Sequence, residues 1–132
     1  MEKSINSVLS MEKLVFDEIS FRRNNLKNDK SQFDFELQIS VGISPSNDLY
    51  KVTLKMIGEK ENEYDLTISL SGFFSFDSDD LDDNLKKDLI EKNSVAIMMP
   101  YLRSQISLIT AQPDVECVVL PPFNITNMMS NK

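Results

Sequence analysis

Side chains able to do covalent or acid–base chemistry are scarce in this sequence. It contains no histidine, which excludes histidine metal sites and imidazole acid–base catalysis. Cys117 is the sole cysteine. It has no partner for an intramolecular disulfide and no histidine to take its proton, so a structural, half-buried thiol is expected rather than a nucleophile. The densest group of possible ligands is the acidic run Asp77–Asn84 (DSDDLDDN). A calcium loop starting at Asp77 would put Leu81 where an oxygen ligand is needed and Asp82 where the turn needs glycine. The run reads instead as a helix start, with Ser78 or Asp79 as cap, acids in the first turn, and Lys86 and Lys87 further on. With only three glycines, no glycine-rich phosphate loop is present. Neither a cofactor nor an enzymatic activity is expected. The chemistry left to the chain is non-covalent capture by apolar and aromatic rows.

Those rows need rigid elements. From Gln32 to Ser44, Phe33, Phe35, Leu37, Ile39, Val41 and Ile43 alternate without a break with polar or small residues, the two-residue period of a strand with one apolar face. After a turn at Pro45–Asp48, Tyr50, Val52, Leu54 and Met56 repeat the pattern. Beyond Gly58–Asn62 it returns in Tyr64, Leu66, Ile68 and Leu70, continuing through Gly72 to Phe74 and Phe76. Gly72 occupies an apolar-face position without a side chain, which predicts a bulge or the close approach of another backbone. Leu14–Arg23 (LVFDEISFRR) is a further strand whose imperfect alternation suits an edge or a bulge. Met1 to about Lys13 reads as a mobile tail or short helix, leaving residues 14–132 as one domain. Short connections favour a meander of antiparallel strands with one wet face.

Two helices are expected to cover the dry face. Leu81, Leu85 and Leu89 give the acidic helix its stripe. A second helix, capped by Asn93 or Ser94, carries Val95, Met98, Met99, Leu102, Ile106 and Ile109 on one side. Ile97, Tyr101 and Leu108 lie on another side, and Pro100 should kink the helix or split off its first turn. Gln112–Asp114 ends it, and Pro121-Pro122 stiffens the chain that follows. The fold class is therefore α+β, a four-stranded antiparallel sheet with helices on one face. A strand from Gln32 to Ser44 spans ~40 Å, whereas a helix over Ser94–Thr110 spans ~25 Å. Part of the dry face is thus left uncovered, and the second helical stripe also needs burial.

The totals agree with a binding protein. The 132 residues carry 21 acids against 14 bases, a net charge of −7, which argues against a nucleic-acid partner and for basic or unfolded cationic ones. No apolar run approaches about 18 residues and the N-terminus lacks a signal-peptide pattern, so a cytoplasmic protein without membrane insertion is expected. Seven methionines, four of them at Met98, Met99, Met128 and Met129, suit a surface that accepts varied partners.

The strand order, Tyr50-Lys51-Val52-Thr53-Leu54, Gly72-Phe73-Phe74-Ser75, Met99-Pro100-Tyr101-Leu102-Arg103 with Ile106-Ser107, and Leu120-Pro121-Pro122-Phe123-Asn124 together resemble SecB, the bacterial export chaperone. The resemblance covers about residues 14 to 129. It implies a non-enzymatic holdase that binds unfolded or precursor polypeptides and keeps them competent for export, delivering them to the translocase motor SecA. The implied groove uses Phe33, Phe35, Leu37, Ile39, Phe74, Leu120, Pro121, Pro122, Phe123 and Ile125. The implied assembly is a homotetramer, a dimer of dimers joined through Met98, Tyr101, Leu102, Gln105, Ile106 and Ile109. Of the acids that dock the motor in the family, Glu18 fills one place, while Arg22 and Thr67 stand in two others. Few residues follow Asn124, where the family has a C-terminal helix. A SecB-like chaperone dedicated to one partner, such as an antitoxin, is the alternative reading.

Overall fold

The strands form where the alternation places them, but their order is not a meander. The computed structural model describes residues 9–44, 49–77 and 82–121. It contains β1 (Leu9–Arg23), β2 (Phe33–Ile43), β3 (Tyr50–Lys60), β4 (Tyr64–Phe76) and one helix, α1 (Asp83–Thr110). All neighbours are antiparallel, in the order β1-β4-β3-β2. This is the Greek-key order: three hairpin-linked strands, with β1 beside the last of them. The connection from β1 to β2 therefore crosses the end of the β3–β4 hairpin instead of making a short turn.

That crossing explains a buried ion pair that alternation could not reveal. The hairpin turns through Asn62 with φ of 61°, a left-handed conformation that asparagine tolerates. Glu63 is fully buried behind it. Its backbone carbonyl accepts the amides of Asn24 and Asn25, 2.7 and 3.0 Å away. Its carboxylate meets the Lys60 ammonium at 2.8 Å and accepts the Asn28 amide at 2.9 Å. The Lys60 ammonium also donates to the Asn28 carbonyl. Burial alone would raise the Glu63 pKa. The Lys60 and Asn28 hydrogen bonds and the charges of Lys60 and Arg23 outweigh it and hold the carboxyl below its usual range. Next to it, burial, then the charges of Glu63 and Glu116, push the Tyr64 phenol up to about 12.

The core lies between α1 and the middle of the sheet. Val52, Leu54 and Met56 of β3 and Leu66, Ile68, Leu70 and Phe74 of β4 are buried against Val95, Met98, Leu102 and Ile106 of α1. Gly72 does make room for a close approach, but not by a backbone. A Cβ there would stand 2.7 Å from the Phe74 ring and 2.9 Å from the Met98 sulfur. β1 begins at Leu9, five residues before the expected start at Leu14, so residues 9–13 are strand rather than tail. The register shift at Phe16/Glu18 is the irregularity that the Leu14–Arg23 pattern foretold, and a second lies at Met11/Lys13, in the stretch read as tail.

The two expected helices are one helix of 28 residues. Its cap is Asp82, whose carboxylate accepts the Leu85 amide at 2.7 Å. The expected caps Ser78 and Asp79 lie outside the described residues. Ser94 does not start a helix. It is buried, and its hydroxyl donates back to the Ile90 carbonyl, so it satisfies itself within the helix. Pro100 stays inside without splitting off a turn. Both Pro100 and Ala96, whose carbonyl loses its donor, are exposed, so water can supply the missing bond.

Candidate functional site

An apolar face is a site only where the fold leaves it open. α1 packs on β4, β1 and β3, which leaves the inner face of β2 beside the helix rather than beneath it. Along that face Phe33, Phe35, Leu37 and Ile39 are half-buried and pack against the core. Val41 and Ile43 extend the row and are 43% and 52% exposed. The row therefore opens progressively towards its C-terminal end.

Its aromatic end is built by a missing side chain. Gly58 of β3 pairs with Phe35, and a Cβ on it would lie 2.6 Å from the Phe33 ring. The ring can consequently lean across β3 towards Tyr64 of β4, with centroids 6.3 Å apart, and Tyr64 stacks on Phe21 of β1 at 4.8 Å. Phe33 and Phe35 stack at 6.1 Å. An aromatic row thus crosses the whole sheet at one end.

The chain after α1 supplies the opposing wall. It returns along the C-terminal half of the helix, held by Arg103 donating to the Leu120 carbonyl at 3.2 Å and Ser107 donating to the Val118 carbonyl at 2.8 Å. The Val118 amide donates to the Thr110 hydroxyl. Arg23 of β1 clamps the bend by donating to the carbonyls of Pro113 and Asp114. A cleft of about 270 Å³ lies between Phe33, Tyr64 and Val118. A second cleft, about 480 Å³, lies at the far end of β2 between Val41, Ile43 and Tyr50 on one side and Lys86 and Ile90 on the other. The two clefts flank the same apolar row.

The expected groove residues separate into groups. Phe33, Phe35, Leu37 and Ile39 share one face, as the alternation requires. Phe74 is fully buried beneath Met98 and has no accessible surface for a client, which corrects its placement in a groove. Leu120 is 7% exposed and joins the core, while Pro121 is exposed. Pro122, Phe123 and Ile125 lie outside the described residues. The expected interface residues Met98, Leu102 and Ile106 are likewise corrected: each has no exposed surface and faces the sheet. Ile109 and Gln105 are half-buried, and Tyr101 is 45% exposed on the outer side. Of the second stripe, Tyr101 and Leu108 face outward, with Leu108 and Val119 of the returning chain lining one surface cleft, while Ile97 is half-buried against the core. Val41 and Ile43 belong to the Phe33–Ile43 strand face that the resemblance assigned to the groove, and Leu108 to the second helical stripe expected to need burial; all three are exposed.

Mostly polar side chains occupy the opposite face, with Val15, Ile57 and Phe73 among them. Glu18 is exposed and pairs across to Ser69, Arg22 pairs with Asp65, and Thr67 with Ser20. Cys117 is exposed rather than half-buried, with its sulfur 3.5 Å from the Ser107 carbonyl. Among the described residues no cluster of cysteine and acidic side chains is arranged to hold a metal ion. No helix among them is long and apolar enough to cross a membrane.

No protein-family model matches the chain. It is 29% identical over 139 residues to an uncharacterized protein of Methanocaldococcus jannaschii, an alignment covering 99% of this chain and 88% of that one. A solved SecB-like chaperone of Mycobacterium tuberculosis, in complex with a peptide from the HigA1 antitoxin, superposes with a TM-score of 0.76 at 10% identity, covering 89% of this chain and 92% of that chain. A Streptococcus agalactiae protein of unknown function gives a TM-score of 0.50 at 13% identity, covering 86% of this chain and 97% of that chain. The four-stranded antiparallel sheet with its helix is thus the SecB-like fold.

Proposed function

We propose that this protein is a chaperone that holds non-native polypeptide segments along the inner face of β2. The observation that carries this reading is the placement of α1 over β1, β4 and β3, which leaves Phe33, Phe35, Leu37 and Ile39 of β2 only half-covered and Val41 and Ile43 exposed. An unfolded segment offers spaced apolar side chains, and a long row of aromatic and aliphatic residues accepts many such sequences. The half-buried Phe33, Phe35, Leu37 and Ile39 form the floor, Val41 and Ile43 its open end, and Pro121 the rim. The test is suppression of aggregation when an unrelated denatured protein is diluted into buffer. Equimolar chaperone should keep it soluble, and a V41S/I43S pair should not.

A narrower reading has a specific support. The SecB-like chaperone of the same fold was solved with an antitoxin peptide, so a client restricted to one partner is the second reading. Tight binding to one polypeptide with little general holdase activity would favour it. Export and delivery to SecA form a third layer, with exposed Glu18 on the polar face as the docking residue; loss of SecA binding in Glu18→Lys is its check. Self-association through Ile97, Tyr101, Gln105, Leu108 and Ile109 would cover the outward helical stripe, with a dimer of dimers as the assembly. Light scattering of Leu108→Glu against the parent chain tests that assembly.

A further inference from the structure

The wall opposite β2 is fastened unlike the rest of the molecule. From Gln112 the chain runs back along α1 as a strap that belongs to no strand or helix. Among the described residues, its backbone–backbone bond beyond the helix end joins Val115 to Gln112, within the bend itself. The other bonds that tie it down involve side chains. Both of its ends are fixed. At the bend, Arg23 donates to the carbonyls of Pro113 and Asp114, and the Asp114 carboxylate accepts the Lys27 amide at 3.1 Å. At the far end Leu120 is 7% exposed within the core, and Arg103 holds its carbonyl. Between these points Glu116, Cys117 and Val119 are exposed. The middle is held chiefly through Val118: the Ser107 hydroxyl donates to its carbonyl, and its amide donates to the Thr110 hydroxyl, each at 2.8 Å.

Open space lies on both sides of that middle. The cleft of about 270 Å³ against Phe33 and Tyr64 is lined by Glu116, Cys117 and Val118 of the strap. A cleft of about 550 Å³ on the outer side of α1 is lined by Ser104, Leu108, Cys117 and Val119. Cys117 borders both, so the strap is the partition between them. A close-packed element resists displacement because every shift forfeits contacts. A partition with space on either side forfeits few, and what holds it is a pair of neutral hydrogen bonds. Each such bond shifts an equilibrium by about two- to tenfold.

We propose that residues 116–119 are a movable wall of the client cleft, with Ser107 and Thr110 as its catch. When the catch releases, the wall turns about the clamped bend and Leu120 towards the outer cleft. The space beside Phe33 and Tyr64 then widens and admits a bulky side chain. This deepens the chaperone reading and rests on it: the cleft is the aromatic end of the row that holds clients.

The test uses the intact chain and a pair of fluorescent peptides of alternating serine and valine, identical but for a central tryptophan or alanine. Amide hydrogen exchange reads the catch directly. In the parent chain the Val118 amide should exchange independently of the Leu102 amide deep in α1. Binding of the tryptophan peptide should speed exchange at Val118 at least about threefold, because the wall is displaced. A fixed wall gives the opposite, since a peptide that covers it slows exchange. In S107A/T110V, anisotropy should show the tryptophan peptide bound about two- to tenfold more tightly, because the cost of opening is gone. The alanine peptide should bind the variant as it binds the parent. If the variant melts early, exchange in the parent chain decides. If the tryptophan peptide binds without speeding exchange at Val118, or gains nothing in the variant, the wall is fixed; the proposal is overturned and the chaperone reading stands. If neither peptide binds and no aggregation is suppressed, both fail.

Discussion

β4 and β2 have the same alternating pattern and nearly the same apolar content, yet they have opposite fates. Every inward residue of β4 from Tyr64 to Phe74 is buried under α1, whereas the inward residues of β2 grade from half-buried Phe33 to Ile43 at 52% exposure. The difference lies in position. Greek-key order puts β4 at the centre and β2 at an edge, and one helix is too narrow to cover both. An apolar stripe thus reports that a face wants to be dry, and only the topology says what dries it.

The contrast predicts where substitutions will be felt. Lys60→Met strands the buried Glu63 carboxylate beneath the crossing loop and should destabilise the fold by ~3–5 kcal/mol, measured by urea unfolding. The penalty has a pH signature. Because folding depresses the Glu63 pKa, its ionised form adds stability above the ordinary glutamate range, and that stability is lost as pH falls through the lowered folded value. Glu63→Gln should therefore differ most from the parent at neutral pH, with the gap narrowing in acid. Ile68→Ala, at the centre of β4, should cost ~2–4 kcal/mol by the same measurement. Ile43→Ala on β2 should cost under ~1 kcal/mol because half of that side chain already meets water, while weakening client holding. Gly42→Ala is the smallest effect and the sharpest contrast with Gly72. No atom lies within 4 Å of a Cβ at Gly42, so a gain of ~0.4–1 kcal/mol in thermal stability is expected. Gly72→Ala must displace Phe74 or Met98 and should lose stability.

The strands were legible because alternation is local: β2 and β4 stand within a residue or two of where the period puts them, while β3 runs on to Lys60 through Gly58 and Glu59, which read as turn. The helix was legible in its faces but not in its continuity. Asn93-Ser94 has the chemistry of a cap, and Pro100 that of a break, yet Ser94 bonds within the helix and Pro100 faces water. Residues 9–13 were missed as strand because the bulges of β1 shift its inward set, hiding Met11 and Leu14 from a strict two-residue count. The site was half legible. The Phe33–Ile39 row followed from sequence, but Phe74, Met98, Leu102 and Ile106 could be sorted into core only once α1 was laid over β4. The Lys60–Glu63 pair had no sequence signal, since its burial comes from a loop arriving from β1.

The central claim is that the uncovered face of β2 captures non-native chains. It is tested most directly by the light scattering of a denatured client diluted into the parent protein or its V41S/I43S variant, with both melting temperatures recorded. The account predicts that the parent suppresses scattering and that the variant, melting within a few degrees of it, does not. Equal suppression by the two, or none by the parent, would contradict it.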